Sequence, residues 1–174
     1  MLPALPGIGS IDIGAIDIGF VVVVLLAMHV ARRWAPLYAL LVWPGTLLHE
    51  CAHALVGWLA LAQPAGLRLL PQRIAGSRRW SLGATGFRHV TWYNAVPVAL
   101  APLLLAPAAL LLGAWSLGEP VRAWTHWAGL YAATALAVSC LPSRGDWTLA
   151  ASRPFGLLAW IVLAAVAVLV VVAR

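Results

Sequence analysis

Long apolar runs alternate with short polar breaks along the whole chain. The runs cover residues 13–30, 37–62, 92–117, 121–141 and 155–173. Runs this long and this poor in charge approach the roughly 20 residues that a helix needs to cross a bilayer. The pattern predicts a single domain over residues 1–174: an all-α polytopic membrane protein with about five transmembrane helices. The first run carries an echo, Ile11-Asp12-Ile13-Gly14 and Ile16-Asp17-Ile18-Gly19. Charge is costly inside the bilayer, so Asp12 and Asp17 are expected at the membrane interface. Asn94, Pro97, Pro102 and Pro107 crowd the third run. Such a helix is expected to be broken, which is tolerable where protein or water covers the freed backbone. Residues 1–10, rich in Pro and Gly, read as irregular. They lack a basic leader, so no cleavable signal peptide is expected.

The period changes between Gln63 and Val90. Residues 67–74 and 80–90 each read as a strand, with Ala75-Gly76-Ser77 as the turn between them. A small β-hairpin over residues 67–90 is therefore expected directly after the second span.

Composition sharpens this picture. Of the 174 residues, 63% are hydrophobic and 9% are charged. The net charge of +6 comes from eleven Arg, with no Lys. These Arg sit between apolar runs, which suits membrane loops and argues against a nucleic-acid partner. Trp34, Trp80, Trp92 and Trp147 fall near the ends of expected spans, as in an interfacial aromatic belt. Cys51 and Cys140 both lie within spans and read as reduced, packed thiols. With the hairpin inside, one side holds Arg68, Arg73, Arg78, Arg79, Arg88, Arg144 and Arg153. The other side holds Arg32, Arg33, Arg122 and Arg174. The positive-inside rule then gives an N-in, C-out arrangement.

Chemistry is concentrated at His49-Glu50-Cys51-Ala52-His53 in the second span. Residues i and i+4 share a helix face, so His49 and His53 can offer two ring nitrogens to one zinc ion. In an H-E-x-x-H motif the glutamate, here Glu50, is the general base toward water. The whole chain holds five His and two Glu. Three of these seven residues falling into this spacing by chance is improbable. Pro44-Gly45, just upstream, reads as a kink or local opening.

A catalytic zinc usually has three protein ligands. The candidates for the third are Asp146, Glu119, His89 and His126. Spans two and four have the same parity and run parallel. Asp146 follows the end of span four, on the motif's side of the bilayer. Glu119 and His126 lie toward the opposite side, and His89 sits in the expected hairpin.

With these features in place, residues 37–147 resemble the site-2 proteases, a family of intramembrane zinc metalloproteases. The resemblance rests on His49-Glu50-x-x-His53 in a membrane helix, the hairpin-like segment, the apolar span after it, and an Asp-bearing turn after a later span. That turn reads Pro142-Ser143-Arg144-Gly145-Asp146-Trp147 here, whereas the family typically has Asp-Gly. The resemblance implies hydrolysis of peptide bonds in membrane-embedded or membrane-proximal protein or peptide substrates. It implies Zn2+ held by His49, His53 and Asp146, with Glu50 as the catalytic residue. Asn94 is a candidate for binding the substrate backbone or oxyanion. The expected location is the lipid bilayer of a prokaryotic cell membrane. Two other classes share these features: a catalytically inactive membrane scaffold or regulator, and a metal-binding component of a transporter.

Overall fold

The computed structural model describes residues 13–73, 76 and 80–172. Helix α1 spans Ala15–Ala31 and α2 spans Ala35–Leu59. Four short strands follow: β1 (Pro64–Arg68), β2 (Gln72–Arg73), β3 (Trp80–Ser81) and β4 (Ala84–Phe87). Helix α3 (Ala95–Leu100) leads through a 3-10 turn (Ala101–Leu104) into α4 (Leu105–Gly118). Then come α5 (Trp124–Ser139), α6 (Arg144–Ala151) and α7 (Pro154–Val172).

Three segments are long and apolar enough to cross a membrane: Ala35–Leu59, Ala95–Gly118 and Pro154–Val172. They are compatible with a membrane protein. The other two expected spans are shorter: α1 has 17 residues and α5 has 16. At 1.5 Å per residue these helices run about 25 Å, short of the roughly 30 Å of hydrocarbon. Helix α7 leaves its apolar surface uncovered: among its described residues only Gly156 is buried.

The third run breaks where its prolines predict. Pro102 sits at the start of the 3-10 turn, between α3 and α4. A ring there removes an N–H donor and cannot continue the α-helical ladder.

Helix α5 is the centre of the bundle. It packs against α1, α2 and α4 and buries Gly129, Leu130, Ala133, Thr134, Ala135 and Leu136. Pro44 leaves α2 continuous. Its neighbour Gly45 meets α5 directly: a Cβ there would stand 2.3 Å from the Ala135 carbonyl and from Ser139 Oγ. Gly45 is thus the place where the two backbones touch. Tyr131 of α5 adds a bond to the Leu41 carbonyl, at 2.7 Å.

Asp17 lies inside the bundle rather than on its surface. It is buried, with a carboxylate oxygen 2.8 Å from His126 Nε2. Its other oxygen accepts from the Gly14 N–H at 3.0 Å. The burial is tolerated because both oxygens have partners. Asp12 lies outside the described residues. Cys51 and Cys140 are free thiols.

The hairpin forms as two antiparallel ladders. In the first, β1 pairs β4 with Leu67 opposite Thr85. In the second, β2 pairs β3 with Arg73 opposite Trp80. Pairing thus begins at Pro64, three residues before the expected start. Of the expected turn Ala75-Gly76-Ser77, only Gly76 is described, with φ 72°. That left-handed angle suits glycine. Helix α2 hands over to β1 through Leu61 and Gln63, which also take left-handed φ values, 59° and 53°.

Candidate metal centre

His49 and His53 are one turn apart on α2, with their Nε2 atoms 3.2 Å from each other. Asp146 completes a triangle. Its Oδ1 is 3.1 Å from His53 Nε2, and its Oδ2 is 3.5 Å from His49 Nε2. Among the described residues, this is the only group of three or more His, Cys, Asp or Glu side chains that could hold a metal ion.

The bundle fixes each ring. His49 Nδ1 donates to the Ser139 carbonyl at the end of α5, at 2.7 Å. His53 Nδ1 donates to the Val98 carbonyl of α3, at 2.8 Å. A carbonyl only accepts, so both rings carry their proton on Nδ1 and present a bare Nε2. The carboxylate of Asp146 is an acceptor as well. Three acceptors therefore converge with no proton of their own to share. Such an arrangement is relieved by a positive charge at its centre. Ligands at 2.0–2.1 Å from a tetrahedral ion lie about 3.4 Å apart. The 3.2 Å between the two Nε2 atoms fits that geometry, and the two oxygens of Asp146 face one ring each at 3.1 and 3.5 Å. Ring N–H groups tied to backbone carbonyls are also the usual way that ligating histidines are held in the right tautomer.

Asp146 is aimed by α6, a helix that the apolar pattern misses. Ser143 caps its N-terminus: the Ser143 hydroxyl accepts from the Asp146 N–H at 3.3 Å, and Asp146 Oδ2 accepts from the Ser143 N–H at 2.6 Å. Ser-x-x-Asp is a capping pattern, and the spacing Ser143 to Asp146 carries it in the sequence. Burial works against the charge of Asp146. The bond from the Ser143 N–H favours the charged form. The ionised, ligating form is therefore the resting form at neutral pH.

The depth of Asp146 follows from where two helices end. Helix α2 ends at Leu59, and α5 ends at Ser139, level with His49. The chain then turns at Pro142 and continues as α6, which packs on α3.

The other candidates go elsewhere. His126 is buried against Asp17, with its Nδ1 bonded to the Ser116 carbonyl at 2.8 Å. Glu119 accepts from the Thr125 hydroxyl at 2.8 Å. His89 is exposed. Asn94 is fully buried. Its Oδ1 accepts from the Thr91 N–H at 2.7 Å, and its Nδ2 donates to the carbonyls of His89 and Ala60 at 3.0 and 3.3 Å. All three bonds brace the entry to α3 against the end of α2, and they leave a substrate-binding role for Asn94 without support.

The triangle opens into a cleft of about 740 Å³, lined also by Glu50, Thr46, Thr85, Val138 and Leu149. Glu50 thus shares the opening with the three acceptors. Its carboxylate is met by Thr85 and Gly83, two hairpin residues to which nothing in the local sequence points.

No family model, curated protein or solved structure matches this chain.

Proposed function

We propose that this chain is an intramembrane zinc metalloprotease resembling the site-2 proteases. The observation that carries the reading is the converging triangle of His49 Nε2, His53 Nε2 and the Asp146 carboxylate. Two His and one carboxylate are a common ligand set for catalytic zinc, with the fourth position left to water or substrate. Zinc bound there would supply Lewis acidity, activating water and polarising a peptide carbonyl.

The remaining steps belong to the chain's own side chains. Glu50 lines the same cleft and is the only glutamate in it. It accepts a proton from the attacking water and returns it to the leaving amine. The Ser139 and Val98 carbonyls keep both ring protons on Nδ1 throughout. Leu82, Phe87, Val138 and Leu149 supply an apolar lining that limits water and suits a membrane-derived segment. An intact Glu50 favours an enzyme over a scaffold or a transport component, because holding a metal does not require it.

The test uses purified protein with Glu50→Gln. Both forms are expected to carry one zinc per chain, and Glu50→Gln is expected to lose hydrolysis while retaining bound substrate for identification. Cleavage by Glu50→Gln at the wild-type rate would overturn the mechanism.

A further inference from the structure

The glutamate of the motif is gripped by the hairpin. Thr85 Oγ1 lies 2.7 Å from Glu50 Oε2 and 3.3 Å from the Glu50 carbonyl. A hydroxyl has one proton, and the shorter contact to a carboxylate is the stronger one. Gly83 closes on the other side: a Cβ there would stand 2.6 Å from Glu50 Cγ and 2.8 Å from Oε1. Both carboxylate oxygens therefore lie against hairpin residues.

The same strand is seated further along α2. A Cβ on Gly57 would fall 2.3 Å from the Phe87 ring. Glu50 and Gly57 are two turns apart on one helix face, and His49 and His53 lie about 100° and 60° round the axis from Glu50. Helix α2 thus gives its histidines to the bundle and its glutamate to the hairpin. Backbone bonds from Arg88 to Gln63 and from His89 to Ala62, both 3.0 Å, fix the base of the strand.

We propose that β4 positions Glu50, with Thr85 as the positioning residue and Gly83 as the wall that sets the carboxylate's orientation. Hairpin and glutamate then move together, so displacement of the hairpin by an entering chain would release the group that acts on that chain. The catalytic meaning rests on the hydrolytic reading above; the docking itself does not.

The experiment compares wild-type protein with Thr85→Val, Thr85→Ser and Glu50→Ala in detergent micelles. Thr85→Val keeps the shape and removes the donor, and Thr85→Ser keeps the donor. Amide hydrogen exchange over residues 82–87 is expected to quicken roughly tenfold in Thr85→Val and Glu50→Ala, the scale of one hydrogen bond to a charged group. Thr85→Ser is expected to exchange like the wild type, and zinc content is expected to stay unchanged in all four. With a pool of quenched-fluorescent peptides, Thr85→Val should lower kcat about tenfold at constant KM, with Thr85→Ser restoring it. Unchanged exchange in both Thr85→Val and Glu50→Ala overturns the proposal. If exchange quickens as stated but not even the wild type cleaves the peptides, the docking stands and the hydrolytic reading fails.

Discussion

Asp17 and His126 are 109 residues apart in sequence and joined by a 2.8 Å contact between carboxylate and ring. His126 Nδ1 donates to the Ser116 carbonyl, so the ring's second nitrogen faces the carboxylate. A proton must lie between Nε2 and Oδ1 for that contact to be attractive. The pair ties α1 and α4 to the central helix α5, and both partners are buried.

Removing either partner leaves the other buried and unpaired. Asp17→Ala and His126→Ala are each expected to lose about 3–5 kcal/mol of stability. The double variant is expected to lose clearly less than the sum. Thermal unfolding in detergent, run as a double-mutant cycle, measures this. Strictly additive losses would show that the contact couples nothing.

Asp146 is expected to be the third ligand. Asp146→Ala should lose bound zinc, whereas His89→Ala and His126→Ala should keep one zinc per folded chain. Metal analysis of the three purified variants decides between them. Full zinc and full activity in Asp146→Ala, with loss in a histidine variant, would move the site.

Gly45→Ala should weaken metal binding from a distance. Its methyl would press on the Ala135 carbonyl and Ser139 at 2.3 Å, at a cost of about 1–3 kcal/mol for overpacking. The Ser139 carbonyl orients His49. Disturbing such an outer partner typically lowers metal affinity about 10- to 100-fold. Zinc competition with a chromogenic chelator reads the change. Wild-type affinity in a folded Gly45→Ala protein would show that α5 does not set the ring.

The hairpin is expected to face the cytoplasm, on the seven-to-four distribution of arginines. Gln72 is exposed on β2. Gln72→Cys, in a background with both native cysteines replaced, should resist an impermeant thiol reagent in intact cells and react after lysis. Labelling in intact cells would reverse the orientation.

What could be read from the sequence alone is what repeats over short distances. Apolar runs gave the three long helices, proline density the break between α3 and α4, and the i, i+4 spacing the pairing of His49 with His53. The Arg-rich, alternating segment gave the hairpin, though its pairing begins at Pro64 because Phe87 and the turn after α2 set its base. Helix α6 was missed, because it is too short and polar to register as an apolar run, although Ser143-x-x-Asp146 carries a capping signal for it.

Only the tertiary structure decided which groups each of these meets. Span parity favours Asp146 over His126 as the third ligand, but only the packing shows one closing on the two α2 histidines and the other on Asp17. The carbonyls of Val98 and Ser139 carry no side-chain signature, but they set both ring tautomers. Thr85 is an ordinary strand residue until β4 lies against the Glu50 face of α2. Hydrogen-bond partners so far apart in the chain are chosen by how the helices cross and where each one ends. That choice comes from the packing of all of them together, and no local spacing encodes it.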